Sequence, residues 1–341
     1  MIFMGIKRHK LKIFSLLLSL SLFLWGCQTA QARTASVFAM DTLMDLTIYG
    51  SEEALEGAKA RITALERQLS VTDENSEIFA INRDGGGIIT GDARELLAQA
   101  LELCDRTEGA LDISIYPAVK AWGFTTGSCQ VPSAGELNRL VQNVDYRNVI
   151  LEDGFVRLSQ GMEIDLGSVA KGYLGRELAE ALRQQGVTSG ILNLGGNVQA
   201  IGSKPDGSAW NVGVQNPQGE GYLGVLQIRD QAVVTSGGYE RYFEQDGQTY
   251  WHILNPETGY PARSGLISVT VIGSDGLVCD ALSTALFVMG LDSATEFWKT
   301  SNDFEAIFVT ESGDVYLTQG IEPFFTLWEG QTHRNVTVIS P

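Results

Sequence analysis

The sequence predicts an α+β fold of mixed, mostly antiparallel sheets with packed helices. Three observations lead there. Segments that alternate apolar and polar residues interleave with segments of helical spacing, but no regular strand–helix–strand alternation appears, which argues against a doubly wound parallel sheet. Hydrophobic residues make up 44% and charged residues 19% of the 341, enough for a sizeable core and too apolar for a disordered chain. Glycine occurs 38 times, so loops of unusual backbone geometry are expected between the elements.

In chain order, Lys7, Arg8, Lys10 and Lys12 form a basic start, and Ile13 to Trp25 is an apolar run. Thirteen residues are short for a membrane span and suit the centre of an export signal. The run ends Leu24-Trp25-Gly26-Cys27, which resembles a bacterial lipoprotein cleavage box. Residues 1–26 are therefore expected as a lipoprotein-type signal, Cys27 as a lipid-bearing membrane anchor, 27–36 as a tether and 37–341 as the folded domain. The protein is expected to be exported, facing the periplasm or the cell exterior. An uncleaved N-terminal anchor is the alternative, and both readings export the rest.

Met40 to Tyr49 alternates as a strand. Leu55, Ala58, Ile62, Leu65 and Leu69 recur at helical spacing, as do Leu96, Leu97, Ala100, Leu101 and Cys104. Gly154 to Leu158 reads as a strand, and Asp165 to Gln185 contains a helix stopped by Gly186. Gly190 to Gly202 and Trp210 to Val214 read as strands around a Gly-Gly turn, and Tyr222 to Val234 and Tyr239 to Ile253 as further strands with a hairpin. Leu266 to Ile272 is a β-branched strand, Asp280 to Met289 a buried helix followed by Ala294 to Thr300, and the tail from Ala306 to Ile339 is β-rich.

Charge and cysteines narrow the function classes. The 24 Lys+Arg face 41 Asp+Glu, net −17; without the four bases of residues 1–26, which hold no acid, 20 face 41, net −21. Non-specific nucleic-acid binding, which needs a basic surface, is excluded as a guess. Beyond Cys27 there remain Cys104, Cys129 and Cys279, with no metal-ligand spacing. One disulfide is open in an exported chain, while Cys104 and Cys279 sit among apolar residues as core thiols would.

Three segments carry chemistry. Glu163-Ile-Asp165-Leu-Gly167-Ser168-Val-Ala170-Lys171-Gly172-Tyr173 runs from an apolar strand end through a glycine turn into a helix. Its N–H groups and partial positive charge would seat phosphate, with Lys171 adding charge and Asp165 capping the helix or binding a polar ligand group. A plain capped helix with a packing glycine is the bland reading. In Asp280-Ala-Leu-Ser283-Thr284 the polar residues fall at i, i+3 and i+4, one helix face. One carboxylate with hydroxyls is thin for Ca²⁺ but suits Mg²⁺, which completes its shell with phosphate and water; otherwise Asp280 is an N-cap. Tyr250-Trp251-His252-Ile-Leu254-Asn255-Pro256-Glu-Thr258-Gly259 holds the only mid-chain histidine, either a general base or a packed ring. Trp122-Gly123-Phe124 would seat a planar ring or form a small aromatic core, and Gly195-Gly196-Asn197 would let a ligand approach the backbone or make a turn.

In order and spacing these blocks, together with Met40-Asp41-Thr42 and Ser76 through Asn82, resemble the ApbE family of FAD:protein FMN transferases along nearly all of the exported length. The resemblance implies an ApbE-like single catalytic domain, two intertwined subdomains within it being left open. It implies a Mg²⁺-dependent enzyme with FAD as substrate. FMN would pass to a Ser or Thr hydroxyl of an acceptor protein, with a membrane electron-transport subunit as the default partner, and AMP would leave. By position it implies Asp280, Ser283 and Thr284 with the Ser168 carbonyl as metal ligands, and Met40, Trp122, Gly123, Phe124, Asp165, Lys171 and Leu254 as FAD contacts. His252 is implied as the base. Ser70-Val71-Thr72 lacks an aromatic usual in the family, Ser283 stands where some members have Asp, and Met40-Asp41-Thr42 replaces Met-Gly-Thr. A non-catalytic flavin-binding lipoprotein and a Mg²⁺-dependent FAD pyrophosphatase are the rival functions.

Overall fold

The computed structural model describes residues 31–341. The signal and Cys27 lie outside the described residues. The first element, β1 (Ala32–Ala39), forms a hairpin with β2 (Thr42–Tyr49). Residues 32–36, expected in the tether, are thus strand: their backbone groups pair in register with Asp45 through Tyr49. The strand expected from Met40 begins at Thr42, because Met40 and Asp41 hold the two-residue turn with φ of 50° and 58°. Positive φ at both positions is the hairpin geometry that matches strand twist, and a short acidic side chain tolerates it.

Helix α1 (Glu52–Leu69) is capped by Ser51 and buries Leu55, Ala58, Ile62, Leu65 and Leu69, the stripe read from the sequence. Then come α2 (Glu77–Asp84), β3 (Gly86–Ile88), α3 (Gly91–Arg106), α4 (Tyr116–Trp122), α5 (Ala134–Leu140), β4 (Ile150–Glu152) and β5 (Phe155–Arg157). The short helices α2, α4 and α5 escaped the sequence reading because seven or eight residues show too little periodicity. Next are α6 (Gly167–Gln184), β6 (Ser189–Leu194), β7 (Asn197–Gly202), β8 (Trp210–Gln215), β9 (Tyr222–Ile228), β10 (Ala232–Gly237), β11 (Tyr242–Gln245), β12 (Gln248–Trp251) and β13 (Leu266–Gly273). The chain closes with α7 (Gly276–Met289), α8 (Leu291–Lys299), β14 (Phe304–Thr310), β15 (Val315–Thr318), β16 (Phe325–Leu327) and β17 (Val336–Ile339).

Nine strands form one sheet in the order β1-β2-β6-β7-β10-β13-β14-β15-β17. Every neighbouring pair in it is antiparallel except β15 with β17. Helices α1, α3, α6 and α7 cover one side with a core that includes Leu46, Ile62, Leu97, Tyr173 and Leu174. The other side buries Val212, Leu226, Val233 and Val309 against the small sheet of β8, β9 and β16. The α+β, mostly antiparallel expectation is what the structure has. Cys104, Cys129 and Cys279 are free, Cys104 and Cys279 being buried, so no disulfide forms among the described residues. Burial pushes the Cys104 thiol up to about 12.

The contact that positions the site is α6 against α7. A Cβ on Gly172 would lie 2.2 Å from the Gly276 carbonyl oxygen and 2.5 Å from Asp280 Cβ, so only glycine permits this approach. Asp275, not Asp280, caps α7, its Oδ1 accepting from Leu277 N at 2.9 Å. Asp280 therefore sits in the second turn, free of the capping role that the sequence left open.

Candidate active site

A cleft of about 440 Å³ opens where the β1–β2 turn, the N-terminal end of α6, the second turn of α7, the end of β10 and the chain around His252 converge. Of the residues singled out from the sequence, Met40, Phe124, Asp165, Ser168, Lys171, His252, Leu254, Asp280 and Thr284 line it.

Two distant segments are tied together at its floor. Asp280 Oδ2 accepts from the Gly172 backbone N–H at 2.7 Å. In a regular helix that N–H points at the Ser168 carbonyl. Asp280 competes for it and leaves the Ser168 carbonyl with capacity for another partner. Asp280 is 6% exposed. Burial pushes its carboxyl up to about 6, against the pull of Lys171 and the Gly172 N–H. Thr284, one turn on, presents its hydroxyl 3.2 Å from Ser236 Oγ. Carboxylate, hydroxyl and carbonyl oxygens are the donor types Mg²⁺ takes, with remaining positions left to water and phosphate, so the residues present fit that ion.

Ser283 is not brought to the cleft wall. At i+3 from Asp280 its side chain turns inward, where Oγ donates to the Asp280 carbonyl at 2.9 Å and meets Ser236 Oγ at 2.8 Å. In that position it braces Ser236, which lines the cleft.

Ahead of α6 the Asp165 carboxylate accepts from Gly167 N at 2.9 Å, fixing the turn into the helix, whose N-cap position is Leu166 and has no side-chain cap. Its carboxyl is raised by desolvation, opposed by that N–H and by Arg241 and Lys171. Lys171, one turn into α6, makes no ion pair among the described residues and faces the cleft. Free helix N–H groups beside an unpaired ammonium form an anion seat.

His252 opens the return from β12, with its backbone N–H donating to the Arg241 carbonyl at 3.1 Å. Desolvation, reinforced by Arg241 and Lys171, lowers its pKa to about 4, so the ring is neutral near pH 7. Nδ1 lies 3.3 Å from the same Arg241 carbonyl. Donation there would fix the tautomer and leave Nε2 as the lone-pair atom.

Trp122 and Gly123 stay behind the wall. The Trp122 ring is fully buried, its indole N–H donating to the Gly259 carbonyl at 2.7 Å, and packs on Tyr250 and Phe124. Gly123 terminates α4 at φ 83°, with room for a Cβ denied by the Ser128 carbonyl at 2.1 Å. Of this trio only Phe124 reaches the cleft. The other two form the small aromatic core that the sequence offered as an alternative. Gly195, at φ 72°, makes the β6–β7 turn and lets Thr42 approach, since a Cβ there would meet Thr42 Oγ1 at 2.3 Å.

Sequence reading missed Glu66, Ser236, Glu240 and Arg241 as wall residues, whereas Asn197, singled out within Gly195-Gly196-Asn197, does line the cleft. Glu66 holds the β1–β2 turn by accepting from Met40 N at 2.6 Å. The Asn197 side chain is buried and turns towards the Asp280 carboxylate, whose pKa it helps to hold down. The polar run Thr235-Ser236-Gly237-Gly238-Tyr239-Glu240-Arg241 directly after a β-branched strand was the available signal, but it fell between two strand assignments.

Fold and cleft together define an α+β protein whose cleft sets a helix terminus and a lysine beside a carboxylate–hydroxyl helix face. A family model described as the ApbE family matches residues 40–308, and the chain belongs to that family. A relative from Klebsiella pneumoniae named FAD:protein FMN transferase is 35% identical over 292 residues, spanning 83% of this chain and 90% of the relative. One of the same name from Treponema pallidum is 32% identical over 307 residues, spanning 82% and 85%. The crystal structure of the ApbE protein of Thermotoga maritima superposes with a TM-score of 0.81 at 32% identity, covering 86% of this chain and 99% of that one. The flavin transferase ApbE from Vibrio cholerae does so with 0.78 at 25% identity, covering 86% and 99%.

Proposed function

We propose that the protein is an FAD:protein FMN transferase that cleaves FAD at its diphosphate and joins FMN to a Ser or Thr hydroxyl of an exported or membrane-facing protein. The observation that carries the reading is the bond from Gly172 N to Asp280 Oδ2, which sets the anion seat of α6 beside the carboxylate–hydroxyl face of α7. A net charge of −21 beyond residue 26 gives FAD no long-range attraction, so compensation has to be local.

In this reading Asp280, Thr284 and the Ser168 carbonyl hold Mg²⁺, and Lys171 with the α6 N-terminus receives the diphosphate. Phe124, Leu254 and Met40 would bound the flavin end. Bound there, Mg²⁺ would neutralise phosphate charge as the diphosphate opens. His252 Nε2 accepts the proton of the acceptor hydroxyl as its oxygen bonds to the FMN phosphorus. The bond from that phosphorus to the bridging oxygen breaks, and AMP leaves carrying that oxygen. A positioned base of this kind contributes about 10²–10⁴-fold. A value near 4 makes His252 a weak base that is always in its basic form at neutral pH, a trade the fixed geometry has to offset.

The N-terminal segment supports export and a lipid anchor at Cys27, which would put the cleft at a membrane surface where electron-transport subunits are within reach. Incubation with FAD, Mg²⁺ and a candidate acceptor subunit tests the whole reading. Covalent fluorescent FMN on the acceptor supports it; free FMN with AMP would make the protein a pyrophosphatase, and unchanged FAD a flavin binder. Asp280→Ala should abolish transfer in excess Mg²⁺ while the far-ultraviolet spectrum stays native; near-normal transfer would remove the metal assignment.

A further inference from the structure

The cleft wall carries six carboxylates, Asp41, Glu66, Asp112, Asp165, Glu240 and Asp280, against two cationic side chains, Lys171 and Arg241. For a pocket that accepts a diphosphate this balance is unfavourable, so each acid needs a reason to be there. Five have one within the protein. Glu66 accepts from Met40 N, Asp165 from Gly167 N and Asp280 from Gly172 N. Asp112 binds Ser114 and the Tyr146 N–H, holding its loop, and Asp41 lies 3.8 Å from Arg241. Glu240 alone has no hydrogen-bond or ion-pair partner among the described residues, although its backbone N–H is fixed to the Gly237 carbonyl. It stands four residues beyond Ser236, whose hydroxyl touches both Ser283 and Thr284.

We propose that Glu240 is a second carboxylate of the Mg²⁺ site, acting with Asp280 on the same cation; the proposal rests on the assignment of that site to Asp280 and Thr284. One further feature agrees: Glu240, Asp280 and Thr284 line the same cleft, and while desolvation is the main influence raising the Glu240 carboxyl, Lys171 lowers it and Asp280 raises it further, as neighbours in one site would. An unpaired acid facing a diphosphate repels it when no cation intervenes and helps to hold it when one does, so Glu240 makes diphosphate binding conditional on Mg²⁺.

The test is calorimetric titration of ADP and of Mg²⁺ into the exported chain, wild type and Glu240→Gln, with Asp280→Asn as control. In Glu240→Gln, Mg²⁺ affinity in the presence of ADP should fall by roughly 10–100-fold, the usual cost of losing a supporting group at a metal site. In EDTA the same variant should bind ADP as tightly as wild type or more tightly, a crossover that mere loss of structure would not give. Unchanged Mg²⁺ affinity in Glu240→Gln, with a loss in Asp280→Asn, overturns the role of Glu240 alone. Unchanged affinity in both variants overturns the metal site on which it rests, and weaker ADP binding by Glu240→Gln in EDTA would mark Glu240 as a structural residue.

Discussion

The environment of His252, the base proposed above, sets two measurable behaviours. His252→Ala should retain FAD within about twofold and lose transfer by the 10²–10⁴-fold that a base supplies. Loss of FAD binding, read by flavin fluorescence, would make the ring a binding residue instead. The second behaviour is a stability slope. The folded value of about 4 lies below the ordinary 6.5, so between those limits the unfolded chain binds the extra proton. Stability from this group is complete above pH 6.5 and is lost as pH falls towards 4. Asp280 acts oppositely without metal, because its raised value makes the folded state hold the proton between 3.8 and about 6. Between pH 6.5 and pH 5, His252→Gln should therefore lose roughly 1–2 kcal/mol less stability than wild type in denaturant titrations. Parallel slopes would contradict the half-buried, neutral ring. The residue types at 165, 171, 252, 280 and 284 were legible because each stood out against its surroundings. The retreat of Ser283 and Trp122 was not, because which side chain of a motif reaches the cavity depends on helix rotation and packing that spacing leaves undetermined.

Between elements, the approach of α6 to α7 does the positioning, and one glycine makes it possible. Gly172→Ala replaces a poor helix former with one better by about 1 kcal/mol in a free helix. Against that, the new methyl collides with the Gly276 carbonyl and Asp280 Cβ, both within 2.5 Å. Overpacking of this kind costs typically 1–3 kcal/mol. The variant should show a lower denaturant midpoint and weaker FAD binding together; a raised midpoint would show that the helices have room. The long elements were read from periodicity because α1, α3 and α6 each bury one stripe over four or more turns. The β1 strand was hidden in the expected tether, since at the sheet edge its side chains alternate between exposed and half-buried and carry little apolar signal. The convergence of α6 with α7, joined across 108 residues of sequence, had no local trace at all and followed only from the order of the motifs.

For the whole molecule, the proposed export and anchoring join the proposed catalysis, in that lipid at Cys27 would deliver an acidic domain to a membrane surface. Cys27→Ser should move the protein from the membrane fraction to the soluble exported fraction while its FMN transfer to a soluble acceptor stays unchanged; continued membrane retention would point to an uncleaved N-terminal anchor. The sheet of nine strands and the flanking helices supply the rigid frame that brings the β1–β2 turn, α6, β10 and α7 to one cleft. The most direct test of that convergence is a crystal of the exported chain grown with FAD and Mn²⁺ in place of Mg²⁺, with the manganese located by anomalous scattering. The account predicts one peak bonded to Asp280 and Thr284 and to a diphosphate oxygen, with the other phosphate at the head of α6. A peak elsewhere, or a diphosphate remote from Gly167 through Lys171, would contradict it.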